Sequence, residues 1–261
     1  MTGRVLAVIP ARLGSTRLDR KALKLIGDKT LVRRVWEQAS GCKTLTEIVV
    51  ATDSSEIESE VNSFGGKVVM TSADLQTGSD RVAAVYSMMI DGKWDLVINI
   101  QGDMPFIDPE LVDGVIKFAF DRRNDFDVYT VGIPLTDGDE FRKNSVVKIA
   151  ISREQRGLYF SRASIPHSRD GDTTAESLDG QPVVGYKHLG LYVFRPEILL
   201  KFPELTPGTL EKIEKLEQLR LLEAGFRIGV YTADPRLVIR SVEVDTEADL
   251  LLANQLVKIS Q

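Results

Sequence analysis

The first apolar stretch, VLAVIP from Val5 to Pro10, is short, continuous and bounded by charge, which predicts a buried parallel strand. From Thr30 to Ser40, Leu31, Val35 and Gln38 alternate with Val32, Trp36 and Ala39 at helical spacing. EIVVATD then reads as a second strand carrying Thr52 and Asp53 at its C-terminal end. Ser55 and Glu58 have the spacing of a capping box, Ile57, Val61 and Phe64 follow on one face, and Gly65-Gly66 ends that helix before the strand KVVM. Val82, Val85 and Met89 mark a helix after TGSDR, and DLVINI is a strand leading into Gln101-Gly102-Asp103. Asp108, Pro109 and Glu110 supply N-cap, first-turn proline and first-turn acid for a helix reaching about Arg122. Alternation of this kind implies an α/β fold, a mostly parallel sheet with helices on both faces.

From Phe126 the rhythm changes. DVYTVGIPL, SVVKIAIS and YKHLGLYVFR read as strands of a more antiparallel region, and the stretch from Arg169 to Gln181 as a mobile surface loop. The first pattern then returns: a helix from Leu210 to Glu223, with Ile213, Leu216 and Leu219 on its apolar side and Glu211 spaced to pair with Lys215, a strand around Ile228 to Tyr231, and RSVEV as a strand before a final helix. This predicts one domain over 1–261 with an inserted β-rich region at about 126–200.

Composition changes the picture in one respect. The chain has a formal net charge of −5, which argues against a general nucleic-acid binder, yet IPARLGSTRLDRKALK from Ile9 to Lys24 gathers Arg12, Arg17, Arg20, Lys21 and Lys24 against Asp19 alone. Cys42 is the only cysteine, so no intrachain disulfide forms, and its position suits packing better than nucleophilic attack. No stretch approaches the roughly 20 apolar residues that span a bilayer, so a cytoplasmic protein without membrane insertion is expected.

The basic segment matches neither familiar phosphate loop. A dinucleotide fingerprint needs three glycines, and only Gly14 is present; a P-loop needs glycine where Asp19 stands and a hydroxyl residue where Ala22 follows Lys21. What remains is a small-residue turn, Gly14-Ser15-Thr16, flanked by Arg12, Arg17 and Lys21, suited to a chain of phosphates or, more plainly, a solvated basic loop. Asp103 follows one strand closely and Asp245 ends another. Mg²⁺ is commonly held by one or two carboxylates plus phosphate oxygens, so the pair opposite a cationic loop suggests a metal–phosphate site; for Asp245 alone, helix-start chemistry serves as well.

IPARLGSTRL, IVVATD, GGKVVMTSAD, QTGSDR, VINIQGDMPFI, VKIA, LYFSRASIP, YKHLGLYVFR, the segment from Leu210 to Gly225 and VEVDTEADL occur in an order that resembles the 3-deoxy-D-manno-octulosonate (Kdo) cytidylyltransferases, the CMP-Kdo synthetases of lipopolysaccharide assembly. The resemblance covers nearly the whole chain. It implies a homodimer with a Rossmann-like nucleotidyltransferase sheet and a smaller antiparallel dimerisation region, which uses CTP and Mg²⁺ to activate an acidic eight-carbon sugar. By matching motif, Ala11, Arg12, Ser15, Lys21, Ala51, Thr52, Asp53, Ser79, Arg81 and Asp103 would serve the nucleotide, and Asp103 and Asp245 the metal. Gln101, Arg162, His188, Tyr192, Glu217 and Gln218 would line the sugar pocket, and Arg12, Lys21, Asp103 and Asp245 would carry the chemistry. The family usually has Leu-Pro-Gly-Lys where Leu18-Asp19-Arg20-Lys21 stands, and a glutamate where Met104 stands. The same reaction on 8-amino-Kdo or a sialic acid, and a silent nucleotide or sugar binder, are the alternatives.

Overall fold

The computed structural model of the chain describes residues 3–14, 17–75, 77–169, 175–176, 182–238 and 242–259. Among them the strands are β1 (Val5–Pro10), β2 (Leu25–Ile26), β3 (Lys29–Thr30), β4 (Glu47–Thr52), β5 (Lys67–Met70), β6 (Leu96–Asn99), β7 (Val128–Leu135), β8 (Lys148–Ile151), β9 (Gly157–Ser161), β10 (Ala175–Glu176), β11 (Pro182–Val183), β12 (Gly185–Phe194) and β13 (Ile228–Thr232). The α-helices are α1 (Leu31–Ser40), α2 (Ser55–Ser63), α3 (Gly78–Met88), α4 (Pro109–Asp121), α5 (Gly138–Arg142), α6 (Pro196–Leu199), α7 (Thr209–Glu214), α8 (Gln218–Glu223) and α9 (Glu247–Ile259).

The main sheet has the order β13-β7-β12-β6-β1-β4-β5, with β8 and β9 forking from β12. Along that path only β12 runs against its neighbours; the other pairings are parallel. Strand alternation sorts the core into two layers. Val5, Ala7 and Ile9 of β1 pack on the side of α1 and α4, whereas Leu6 and Val8 join Val82 and Val85 of α3 on the other. Each such side chain, withdrawn from water, contributes about 1.5–3 kcal/mol.

Local sequence sets the boundaries. Thr77 and Asp80 form a reciprocal capping box on α3, and Asp108 caps α4 ahead of Pro109. Three expectations are corrected. The cap of α2 is Ser54, whose hydroxyl accepts from Glu56 and Ile57, so the Ser55–Glu58 box is displaced by one residue. The helix read over Leu210–Glu223 is broken at Lys215, which takes a left-handed conformation (φ 56°), and Glu211 pairs with Arg220 across the break instead of with Lys215. Ile213 is consequently exposed while Leu216 and Leu219 are buried. Of RSVEV, Val242–Val244 form no strand; Val244 N–H donates to Asp103 O at 2.9 Å, pinning the segment to the loop after β6. Within 126–200, β7 and β12 are central strands of the main sheet, and β8 and β9 branch from β12 within it. Most of the loop read over Arg169–Gln181 lies outside the described residues.

After β1 the chain moves outward through α1 and β4 to α2 and β5, then returns through α3 to β6 on the opposite side of β1. This reversal opens a crevice beyond the C-terminal ends of β1 and β6, where ligands of such sheets bind. No described helix is long and apolar enough to cross a membrane.

Candidate active site

The crevice continues into a two-part cleft. A cavity of about 460 Å³ is lined by Ala11, Arg12, Arg17, Lys21, Arg81 and Gly78, among others; a larger one of about 830 Å³ is lined by His188, Tyr192 and Gln218 on its far side. Gln101, Asp103, Lys215 and Glu217 line both, so the two cavities share a boundary.

Lys21 occupies the centre. Its ammonium donates to Asp103 Oδ2 at 3.0 Å and to Asp245 Oδ1 at 2.8 Å, and Arg17 reaches Asp245 Oδ2 at 2.8 Å. The backbone makes this meeting possible. A Cβ on Gly102 would lie 2.5 Å from Pro10 O, so only glycine lets the loop carrying Asp103 press against the end of β1. The Val244–Asp103 backbone bond then draws Asp245 alongside, and Asp249 accepts from the backbone of Asp245 and Thr246 to fix the start of α9.

Electrostatics follow the geometry. Burial works against the charge on Lys21, but Asp103 and Asp245 outweigh it and raise its pKa. Burial likewise disfavours the Asp245 anion, and Lys21 and Arg17 overcome it, lowering its pKa. Arg81 is buried with its guanidinium on Asp53 Oδ2 at 3.0 Å and on Thr71 Oγ1. Ser79 donates to Glu217 Oε1 at 2.8 Å, joining the first turn of α3 to the α7–α8 break; burial of the Glu217 carboxyl raises its pKa.

On the far side, Tyr192 donates to Gln218 Oε1 at 3.0 Å, and His188 Nε2 lies 2.9 Å from Thr130 Oγ1. Burial pushes the His188 imidazole down to about 3, so it is neutral at ordinary pH and suits orientation rather than proton transfer.

Several residues read from the sequence stand elsewhere. Ala51, Thr52 and Asp53 are at the end of β4 but do not line the cleft; Asp53 reaches it only through Arg81. Arg162 is also absent from the lining, because its guanidinium donates to the carbonyls of Glu214 (3.1 Å) and Asn144 (3.3 Å). In this arrangement Arg162 braces the wall behind the pocket. Ser15 lies outside the described residues.

Three groups went unread. Arg17, noted only as a flank of the basic turn, pairs with Asp245. Lys215 enters the cleft through the helix break. Glu243, two residues before Asp245, lines the larger cavity. Although the Glu243 residue is exposed overall, withdrawal of its carboxyl from water, then repulsion from Asp103, pushes it up to about 7. Its period-two relation to Asp245 was the available signal.

A cationic loop facing Asp103 and Asp245 across the switch point of a mostly parallel sheet suits a nucleotide-dependent transferase. The chain belongs to the cytidylyltransferase family, whose model matches residues 6–228. It is 41% identical over 246 residues to the 8-amino-3,8-dideoxy-manno-octulosonate cytidylyltransferase of Shewanella piezotolerans, covering 94% of this chain and 95% of that one. With the 3-deoxy-manno-octulosonate cytidylyltransferase of Geotalea daltonii it shares 39% identity over 249 residues, 95% of each chain. The solved structure of a CMP:2-keto-3-deoxy-manno-octonic acid synthetase complexed with CTP superimposes with a TM-score of 0.86 at 32% identity, covering 99% of this chain and 100% of that one.

Proposed function

We propose that this cytidylyltransferase transfers CMP from CTP to the anomeric hydroxyl of Kdo, releasing pyrophosphate and giving CMP-Kdo for lipopolysaccharide synthesis. The observation that carries this reading is Lys21 held between Asp103 and Asp245 in a cationic cavity, with Asp103 also lining the larger polar one beside it. The cations Arg12, Arg17, Lys21 and Arg81 suit a triphosphate, and the larger cavity suits a polyhydroxylated acid.

The sugar oxygen attacks the α-phosphorus and pyrophosphate leaves, a reaction governed by positioning and charge stabilisation. Lys21 and Arg12 offset charge on the α-phosphate and the leaving group. His188, Tyr192 and Gln218 orient the sugar, with Glu217 and Gln101 at the junction of the two cavities.

Among the described residues no cluster of three or more His, Cys, Asp or Glu side chains forms a metal site. Two carboxylates fit Mg²⁺ nonetheless, because it takes its other ligands from phosphate and water. Asp103 and Asp245 would hold it, and it would supply Lewis-acid stabilisation of the phosphate charge. The same reading makes the protein a cytoplasmic homodimer; β9, a sheet edge with exposed Leu158, supports an interface there.

A second reading, the same transfer to 8-amino-Kdo, is favoured by Glu243, Asp137 and Glu140 in the larger cavity, whose carboxylates suit an ammonium. Mass-spectrometric identification of the product from CTP with Kdo, 8-amino-Kdo and a sialic acid tests both. CMP-Kdo is the expected product; binding of CTP with no nucleotide sugar formed from any of the three would overturn the proposal.

A further inference from the structure

Of the four residues that line both cavities, Gln101, Asp103, Lys215 and Glu217, Lys215 is the one cation. It stands at the break between α7 and α8 in a left-handed conformation, which a residue with a side chain adopts only where its neighbours impose it. Those neighbours are identifiable. Before it, the Glu214 carboxylate accepts from Ser161 Oγ at 2.5 Å and from the Arg162 backbone at 3.0 Å. After it, Glu217 accepts from Ser79 at 2.8 Å, and Lys215 N–H itself donates to Glu211 O at 2.8 Å. The backbone is therefore tied on every side. The Lys215 ammonium, by contrast, makes no hydrogen bond or ion pair among the described residues, and the residue is exposed, so a molecule in the cleft can reach it. The other cations are placed differently. Lys21 and Arg17 are engaged by the two aspartates on the nucleotide side, and Arg81 by Asp53. In the larger cavity Lys187 pairs with Glu140 at 3.1 Å, and neither it nor Lys143 lines the smaller one.

The chemistry of a 2-keto sugar acid adds a constraint. Its carboxylate is bonded to the anomeric carbon, the same carbon that bears the attacking hydroxyl. Wherever that hydroxyl meets the α-phosphorus, the carboxylate must lie beside the meeting point, where the two cavities join. There it would face Asp103 and Glu217, which repel it when ionised. We infer that Lys215 is a substrate-binding residue whose ammonium pairs with the carboxylate of the sugar acid at this junction. A charge-assisted hydrogen bond of that kind offsets the repulsion and turns the hydroxyl on the same carbon toward the nucleotide. Kdo, 8-amino-Kdo and sialic acid all carry this carboxylate, so the role is the same whichever of them is the acceptor. The left-handed turn then has a purpose: it brings a cation to a boundary otherwise lined by two acids and an amide, and Arg162 supports that turn from behind.

The inference rests on the proposed transfer to a sugar acid, so binding is measured apart from turnover. The probes are 2-deoxy-Kdo, which lacks the anomeric hydroxyl and cannot accept CMP, and its C1 carboxamide, which lacks the negative charge. Each is titrated calorimetrically, with CTP present, into wild type, Lys215→Gly and Lys215→Arg; CTP is titrated alone. Glycine relieves the left-handed conformation, so Lys215→Gly should have a Tm no lower than wild type. Wild type should bind the carboxylate roughly tenfold or more tightly than the carboxamide. That preference should vanish in Lys215→Gly, with CTP affinity unchanged, and should largely return in Lys215→Arg. Equal weakening of both probes in folded Lys215→Gly would show that the turn's shape matters and not its charge, and would overturn the inference. Weakened CTP binding with the carboxylate preference intact would overturn it as well, assigning the ammonium to the phosphates. Wild type that binds neither probe would overturn it together with Kdo as the acceptor. Wild type that shows the Lys215-dependent preference but makes no nucleotide sugar would sink the transfer reaction and sustain this assignment.

Discussion

Lys21 Nζ lies 2.8 Å from Asp245 Oδ1 although 224 positions separate the two residues, and the same ammonium lies 3.0 Å from Asp103 Oδ2. One cation thus holds together two carboxylates that would otherwise repel each other. Because those acids lower the free energy of the ammonium, Lys21 stays charged across the physiological range and is poised to exchange a carboxylate for a phosphate oxygen.

Replacing Lys21 with methionine should lower kcat by about 100-fold or more, through loss of charge stabilisation on the transferring phosphate. Stability should also fall, by about 1 kcal/mol, since Asp103 and Asp245 are left facing each other without the cation between them. Steady-state pyrophosphate release and urea unfolding of the same variant separate the two effects.

Arg20 adopts a left-handed conformation (φ 53°) with its guanidinium on Glu56. The exposed ion pair is a weak contact, whereas left-handed backbone costs a non-glycine residue about 1 kcal/mol. Arg20→Gly should therefore be about 1 kcal/mol more stable than Arg20→Ala, in which the pair is lost but the strain stays. Chemical denaturation of the two variants checks the difference.

Arg220 and Glu211 form a two-pronged buried pair, 2.8 and 2.6 Å, with the guanidinium 4.6 Å above the Phe202 ring. The pair clamps α7 to α8 across the Lys215 break and so fixes the turn that presents Glu217. Arg220→Met, which strands a buried carboxylate, should cost about 3 kcal/mol of stability. At a temperature where the variant is folded, it should also weaken the sugar more than CTP. Equal loss for the two substrates would contradict the clamp.

The buried His188 supplies a pH signature. Its pKa falls from 6.5 to about 3 on folding, so between these values the unfolded chain binds a proton that the native state refuses. Stability from this group is complete above pH 6.5 and declines as pH drops through the window, by up to about 1.4 kcal/mol per unit. The stability advantage of wild type over His188→Gln should be smaller at pH 5.0 than at pH 7.5, as read from urea midpoints.

The sheet and the acid after β6 were legible because burial on both faces makes residues 5–10, 47–52 and 96–99 short, largely apolar runs. The left-handed turn at Lys215 was not, since nothing distinguishes that lysine from its helical neighbours until Glu211 and Arg220 pair across it. The segment Val242–Val244 has the alternation of a strand in its sequence, but Val244 bonds to the loop at Asp103 instead of to a neighbouring strand. Arg162 matched its motif in sequence while its guanidinium went to two carbonyls, a choice that depends on where the backbone of 144 and 214 lies.

The account depends above all on Asp245 acting at the reacting phosphate with Lys21 and Asp103. The initial rate of pyrophosphate release from CTP and Kdo by Asp245→Asn, at saturating substrates and fixed Mg²⁺, tests it most directly. A rate about 100-fold below wild type is predicted; a folded variant that releases pyrophosphate at the wild-type rate would contradict it.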